Sequence, residues 1–533
     1  MIWGGGLMGI FVNGGNLSFA RAKRSQIYID KTGLLKYTNA VMDTEQCLIC
    51  SSRPRRFGKT MTAGMLTAYY SKGCDSRELF QGMEIAETPD YMEYMNQYDV
   101  IHLDIADVRS EKASAMDTIE YIQDCVIEEL KGYYPDVAIE EGAALPSVLA
   151  WINDRTGSGF VMVIDEWDAI FREDPYDTKA QIAYVELLRG LFKGERSRKF
   201  MKLAYMTGIL PVKKYKGESA LNNFDEFTMI GADILAEYVG FTEAEVLQLC
   251  KKYQMDFTEM KRWYDGYLFR DDLHIYNPKS VTDALRRKKI ANYWTRTAAY
   301  ESLKDYISMN FAGLKDAVVW MLSGGECSVN METFENDMTS FKNRDDVLTM
   351  LIHLGYLAYD EKAGVVRMPN EEVRAAFANA VQGTSWTPVV QAICQSEHLL
   401  ELTWNREADA VAKCVDEVHL ANTSILEYNN ENALSCVITL AYYNAVNEYT
   451  LIREFPTGKG YADIVFLPRR QSDKPAMVVE SKYDRSAEGA IRQIKEKRYA
   501  KALESYSGNL LLVGINYDKE RKKHSCVIEE CTK

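Results

Sequence analysis

At 533 residues the chain is too long for a single hydrophobic core, and its 47% hydrophobic and 26% charged residues describe an ordinary globular protein of several domains. A formal net charge of −14 excludes a surface coated in basic groups, so contact with nucleic acid has to come from local clusters: residues 53–56, 286–289, 495–498 and 521–523, each of which reads singly as a solvated face. Eleven cysteines without framework spacing fit a reduced, cytoplasmic compartment, and no apolar run reaches the length of a membrane span.

The first residues carry neither the basic segment nor the apolar core of a signal peptide, and Met8 is an alternative start to Met1. Ile27-Tyr-Ile-Asp-Lys-Thr32 predicts a short β-type run ending at a helix start that Asp30 or Thr32 caps. A second apolar run, from Cys47, stops at Ser51-Ser52 and passes through Arg53-Pro54-Arg55-Arg56-Phe57-Gly58-Lys59-Thr60 into a Met-, Leu- and Ala-rich helix. Strand, loop, Gly-Lys-Thr and helix make up a P-loop. Its amides and helix N-terminus cradle phosphates, the Lys reaches the β/γ oxygens and the Thr hydroxyl holds Mg²⁺. Arg53 stands where the first Gly of that motif is expected. Cys47 and Cys50, within the strand, read as buried structural thiols.

A strand is expected near Val100–Ile105 and a helix over residues 114–133. After a further helix opened by Pro146 comes Phe160 to Ile164, five apolar residues ending in Asp165-Glu166. Such a run suits a central parallel strand, whose C-terminal tip is where ligands bind in open α/β sheets. Asp165 there would hold Mg²⁺ and Glu166 would polarise the attacking water. A helix over 183–192 and a strand over 200–208 follow, with Thr207 at the strand's end. Between about 235 and 380 the pattern turns helical, over 243–253, 257–264, 280–288 and 346–357. Trp263, Tyr264 and Tyr267 read as core packing there.

Tyr28-Ile-Asp-Lys-Thr, Arg53-Pro-Arg-Arg-Phe-Gly-Lys-Thr, Asp165-Glu-Trp-Asp, Leu221-Asn-Asn, Trp263-Tyr-Asp-Gly-Tyr, Tyr276-Asn-Pro, Tyr293-Trp-Thr, Leu354-Gly-Tyr-Leu and Pro369-Asn-Glu-Glu-Val-Arg together resemble the bacterial and archaeal AAA-ATPase-like family. Members carry an Arg-Pro-Arg-Arg-Phe-Gly-Lys-[Ser/Thr] loop, so the resemblance makes Arg53 a family trait. It implies ATP as ligand, residues 53–60 with Asp165 as its contacts, and Thr207 in the place of a sensor residue; a homo-oligomer of AAA type would need an arginine from a neighbour, and no spacing singles one out. Without the first Gly, the loop would be held by Pro54 and by the guanidinium groups of Arg53, Arg55 and Arg56, giving a more cationic grip on phosphate.

Toward the C-terminus, helices over 391–430 and 433–443 precede strands at 449–455, 461–467, 476–482 and 510–514. Asp463, then Glu480-x-Lys482 on the next strand, is the layout of the PD-(D/E)XK nucleases. Alternation puts Glu480 and Lys482 on one strand face and Ser481 on the other. Asp463 and Glu480 would hold Mg²⁺, Lys482 would orient the attacking water, and Glu431 would complete the site. Gln493 resembles the extra residue seen in related nucleases. The region, with Gly458-Lys-Gly-Tyr-Ala-Asp and Gln493-Ile-Lys-x-Lys-x-Tyr, resembles the nuclease-like domain that commonly ends the family, with Ala462 in place of the motif's proline.

The expected architecture is α/β and multidomain: a P-loop NTPase parallel sheet over 8–235, a helical lid and winged-helix-like region over 236–385, and a PD-(D/E)XK-type α/β domain over 386–533. The leading function is ATP-dependent cleavage of nucleic acid, DNA foremost. Two alternatives stand beside it: an ATPase switch whose last domain only binds a partner or nucleic acid, and a nuclease with a structural ATP site.

Overall fold

The computed structural model describes residues 9–531 apart from 213, 216–217, 220, 270–271, 295–298, 310, 336–337, 383–385, 423–430, 458–459, 469–473 and 497–508. The chain divides into two compact units, Met1–Arg296 with Ser328–Val373, and Thr297–Cys327 with Arg374–Lys533.

The first unit is built on β1 (Leu48–Ser52), β2 (Asp99–Asp104), β3 (Phe160–Asp165), β4 (Met201–Gly208) and β5 (Asp225–Phe227), all parallel, in the order β2-β3-β4-β1-β5. Every residue of β1 and β3 is buried, as central strands covered on both faces require. One strand, β4, separates β1 from β3, so three strand tips converge beside the phosphate loop. Helix Ala115–Tyr133 buries Ala115, Thr118, Ile119, Ile122, Val126 and Leu130, the stripe its 3.6-residue period predicts, and the Ser114 hydroxyl caps it by accepting from the Asp117 amide. Cys47 and Cys50 are buried free thiols, and burial pushes Cys47 up to about 11.

Residues 27–32 correct an expectation, since they join no sheet. Asp30 Oδ1 accepts from the Thr32 amide (2.9 Å) and hydroxyl (2.7 Å), and Oδ2 accepts from the Glu84 amide, so its carboxylate is spent on a turn. Gly33, not Asp30 or Thr32, precedes helix Leu34–Val41.

Later in the same unit, β6 (Phe241–Thr242), β7 (Tyr267–Phe269) and β8 (Leu273–Tyr276) form an antiparallel sheet in the order β6-β8-β7. It packs with helices Glu243–Tyr253, Phe257–Tyr264 and Pro278–Arg287 through Val246, Leu249, Met260, Tyr264, Val281 and Leu285. A Thr242/Glu245 capping box, Asp256 and Asn277 start these helices. Helix Arg344–His353 stops before Gly355, whose φ of +81° favours glycine, and the hairpin β9 (Ala358–Asp360) and β10 (Val365–Arg367) follows as a wing.

The second unit carries helices Thr387–Trp404, Ala408–Asn422 and Glu431–Ala441, then β11 (Tyr449–Thr457), β12 (Gly460–Pro468), β13 (Ala476–Tyr483), β14 (Leu510–Asp518) and β15 (Lys523–Cys531), ordered in sequence. All neighbours are antiparallel except β13 and β14, which helix Ala487–Glu496 connects as a parallel crossover. Among the described residues, no helix is long and apolar enough to cross a membrane.

Candidate functional site

The phosphate loop opens onto a cleft of about 850 Å³ lined by Arg55, Arg56, Phe57, Gly58, Lys59 and Thr60 on one side, and by Ile27, Tyr28, Ile29, Phe241, Lys279 and Arg286 on others. Its volume lies within the range of small-molecule sites. Gly58 has φ +98° and nothing within 4 Å of a hypothetical Cβ, so it turns the chain into helix Lys59–Tyr70 while leaving the helix start open. Lys59 is buried, with Nζ donating to the Pro54 carbonyl at 3.2 Å and lying 3.3 Å from Glu166 Oε1.

At the tip of β3, Asp165 is fully buried and hydrogen-bonded to Thr60. Burial, opposed by the Thr60 bond, pushes its carboxyl up to about 6, and among the described residues Oδ2 has no hydrogen-bond partner. Glu166 sits at φ +50°, a left-handed conformation that costs a side-chain-bearing residue on the order of 1–3 kcal/mol and aims its carboxylate at Lys59. Its other oxygen accepts from Arg172, whose Nε also lies 3.2 Å from Asp168 Oδ2. Asp168 accepts from the amides of Ile209 and Leu210, fastening the β3 tip to the chain leaving β4.

The structure places the remaining loop residues differently from the sequence expectation. Arg53 is fully buried beneath the loop and away from the cleft lining. Its Nη1 donates to the carbonyls of Ser52 (2.9 Å) and Phe227 (3.0 Å), its guanidinium lies 5.4 Å from the Phe269 ring centroid, and burial brings its pKa down to about 10. From the arginines of the loop, the cleft's cationic lining therefore receives only Arg55 and Arg56. Pro54 is also buried and does not line the cleft, and a Cβ on Gly355 would come within 2.6 Å of it. Thr207 is buried at the end of β4, beside Ser51 of β1, where its carbonyl accepts from the Trp167 amide; it too is absent from the cleft lining.

Sequence reasoning missed two residues here. Asp104, at the tip of β2, pairs in register with Asp165, and burial raises its carboxyl. Arg172, six residues beyond Glu166, holds that carboxylate. The polar end of β2 was visible in the sequence, whereas nothing in the spacing marks Arg172.

The second unit gathers Asp463, Glu480, Lys482 and Gln493. Glu480 is fully buried; Oε1 accepts from Lys482 Nζ at 3.1 Å and from Gln493, and the Asp463 backbone also hydrogen-bonds the carboxylate. Among the described residues, Glu480 Oε2 has no partner. Burial, and then the Asp463 charge, push Glu480 up to about 7. Gly514, opposite Glu480 on β14, makes this possible: a Cβ there would lie 2.4 Å from the Ala487 carbonyl, so only glycine lets the helix bearing Gln493 come this close.

Ser481 adds a tie of its own to Asp463. Its amide and hydroxyl donate to Asp463 Oδ2 at 2.7 and 2.6 Å. The β12/β13 ladder runs through Ile464 and Val479, and just beyond it the Asp463 carboxylate takes the place of a strand carbonyl. Glu431 opens helix Glu431–Ala441, but its side chain lies outside the described residues, as do Lys497 and Tyr499.

Both sites fit a divalent cation by their own chemistry. Each holds a fully buried carboxylate with one oxygen unsatisfied among the described residues, Oδ2 of Asp165, which Thr60 also contacts, and Oε2 of Glu480, which Asp463 also contacts, and such atoms are costly unless something coordinates them.

No curated protein matches the chain. Among solved structures, C. elegans PCH-2 is similar at 11% identity, over 61% of this chain and 68% of that one, with a TM-score of 0.22. Cdc6p from Pyrobaculum aerophilum is similar at 11% identity, over 69% and 98%, with a TM-score of 0.25. The ORC1 protein of Aeropyrum pernix, solved in complex with DNA, is similar at 13% identity, over 71% and 98%, with a TM-score of 0.25. Residues 15–216 match the model of a predicted AAA-ATPase family, and residues 429–526 match that of the PD-(D/E)XK nuclease superfamily. The chain thus joins a predicted AAA-ATPase domain to a domain of the PD-(D/E)XK nuclease superfamily.

Proposed function

We propose that the protein is a cytoplasmic, ATP-hydrolysing nuclease that cleaves nucleic acid, DNA foremost, with Mg²⁺ at both sites. The observation that carries this reading is the one the two sites share: a buried carboxylate oxygen left unsatisfied beside a second hard oxygen donor.

In the first site the amides opening helix Lys59–Tyr70 face the cleft and would take the β/γ-phosphates of ATP. Lys59 would leave Glu166 for the phosphate. Glu166, still held by Arg172, would then accept a proton from the attacking water. Thr60 and Asp165 in this site, and Asp463 and Glu480 in the other, would hold Mg²⁺, which neutralises phosphate charge and lowers the pKa of bound water. In the second site the Lys482 ammonium would offset charge developing on the scissile phosphate, while Gln493 keeps Glu480 oriented.

The test is cleavage of linear and supercoiled DNA in Mg²⁺, with and without ATP, by wild type, Lys59→Ala and Asp463→Ala. ATP-dependent cleavage lost in both variants supports coupling. Loss in Asp463→Ala alone leaves a nuclease with a structural nucleotide site, and no cleavage by wild type under any condition would sink the nuclease reading.

A further inference from the structure

The acidic chain concentrates unpaired positive charge on one face of its first unit. Helices Glu243–Tyr253 and Pro278–Arg287 share a core, and their C-terminal ends meet around Tyr253. Lys288 Nζ donates to the Tyr253 carbonyl, and the Lys252 and Lys288 ammonium groups lie 5.7 and 5.4 Å from the Tyr253 ring centroid. Lys251, Arg286, Arg287 and Lys289 beside them are all exposed. The Tyr253 hydroxyl donates to the Gln26 carbonyl at 3.1 Å, which brings the end of helix Leu17–Lys23, with exposed Arg24, alongside.

Among the described residues, none of these seven cations is in an ion pair. The acids on the same elements are already engaged: Glu243 with Lys261 (2.6 Å), Glu245 with Lys31 (2.7 Å), Asp283 with Lys279 (3.1 Å), and Asp256 as a helix cap. A helix C-terminus favours a cation by roughly 0.3–1 kcal/mol, which explains each end by itself. That preference does not by itself explain three helix ends bringing seven cations together in a chain of net charge −14. Like charges within a Debye length of about 8–10 Å of one another repel, and among the described residues no carboxylate pairs with any of these seven.

We propose that this face binds the backbone phosphates of a nucleic-acid duplex at the rim of the nucleotide cleft, with Arg286, which also lines the cleft, reporting nucleotide occupancy to the bound duplex. The inference rests on the reading of the chain as acting on nucleic acid and adds a binding surface apart from the Asp463/Glu480 residues. A spread of seven cations suits a row of phosphates better than a single one.

The experiment measures binding of a fluorescent DNA duplex to the full chain in EDTA over a salt series. It compares wild type with the quadruple variant Lys251→Glu/Lys252→Glu/Arg287→Glu/Lys289→Glu, which spares Arg286. The expected result is at least a tenfold loss of affinity, together with a log Kd against log salt slope that is shallower by about 0.9 for each phosphate no longer neutralised. The matching Lys251→Arg/Lys252→Arg/Lys289→Arg variant should bind like wild type. Thermal melting and fluorescent-ATP binding confirm that the fold and the cleft are intact. Unchanged affinity and slope in the charge-reversed variant would overturn the surface, as would wild-type binding to anionic lipid vesicles without binding to DNA. Cleavage by wild type that the reversal does not affect would leave the nuclease and remove this surface. Charge-dependent binding without cleavage would keep the surface and remove the nuclease.

Discussion

At the scale of single residues, the two arginines that begin the phosphate loop have separate work. Arg53 reaches backbone carbonyls and an aromatic ring from below the loop, whereas Arg55 stands exposed on the cleft wall. Arg53→Met should lower the melting temperature, because two buried carbonyls lose a charged donor worth about 1.5–3 kcal/mol, with nucleotide affinity changed less than about threefold. Arg55→Ala should do the reverse, weakening nucleotide binding by about tenfold, or 1.4 kcal/mol, with the melt unchanged. Calorimetric titration and thermal melts of both variants separate the two roles. Glu480 supplies a pH test. Its folded-state pKa, near 7, lies above the ordinary 4.5, so its contribution to stability is complete below 4.5 and is lost as pH rises through 7. In EDTA at pH 8, Glu480→Gln should therefore be more stable than wild type, by on the order of 3 kcal/mol in denaturant melts. Mg²⁺ should narrow or invert that difference.

At the scale of elements, Gly514 sets how closely the helix bearing Gln493 lies on the sheet. Gly514→Ala puts a methyl against the Ala487 backbone and should cost about 1–3 kcal/mol in urea unfolding. Because that helix carries Gln493, cleavage should fall even under conditions where the variant is fully folded. The central strands were legible because a buried parallel strand writes an unbroken apolar run, as Phe160 to Ile164 does. Helices 243–253 and 257–264 were legible because caps and periodicity agree. Other features could not be read locally. β15 alternates exposed and buried residues only over its first four positions, and its first residue, Lys523, closes a basic cluster. Residues 27–32 have β-type composition, but in the fold Asp30 is drawn into a turn and Ile27 to Ile29 wall a cleft. In the sequence, a strand tip marked Asp165, and the Glu-x-Lys alternation put Glu480 and Lys482 on one face of another strand. Arg172 and Ser481 act through contacts that only the folded backbone creates. Arg53 reads as a phosphate ligand by motif position alone, because position says nothing about which way a side chain turns.

For the whole molecule, each unit carries its own unsatisfied carboxylate, so Mg²⁺ should stabilise each separately. An ion at about 100 times its Kd adds about 2.7 kcal/mol to whatever it binds. In the presence of nucleotide, Mg²⁺ should therefore raise two melting steps; Asp165→Asn should abolish the rise of one and Glu480→Gln that of the other, as followed by scanning calorimetry. The Lys59–Glu166 contact has a consequence for the order of events. Without nucleotide, the ammonium and the carboxylate neutralise each other. On the proposed reading, an arriving γ-phosphate is exchanged for Glu166 as the counterion of Lys59, so the substrate itself releases the base that takes the proton of the attacking water. Once the phosphate departs, the pair closes again and competes with its return. That contact would oppose ATP binding and phosphate rebinding alike: once Glu166 has released the proton it took, the carboxylate that serves hydrolysis is again the resting counterion of the lysine.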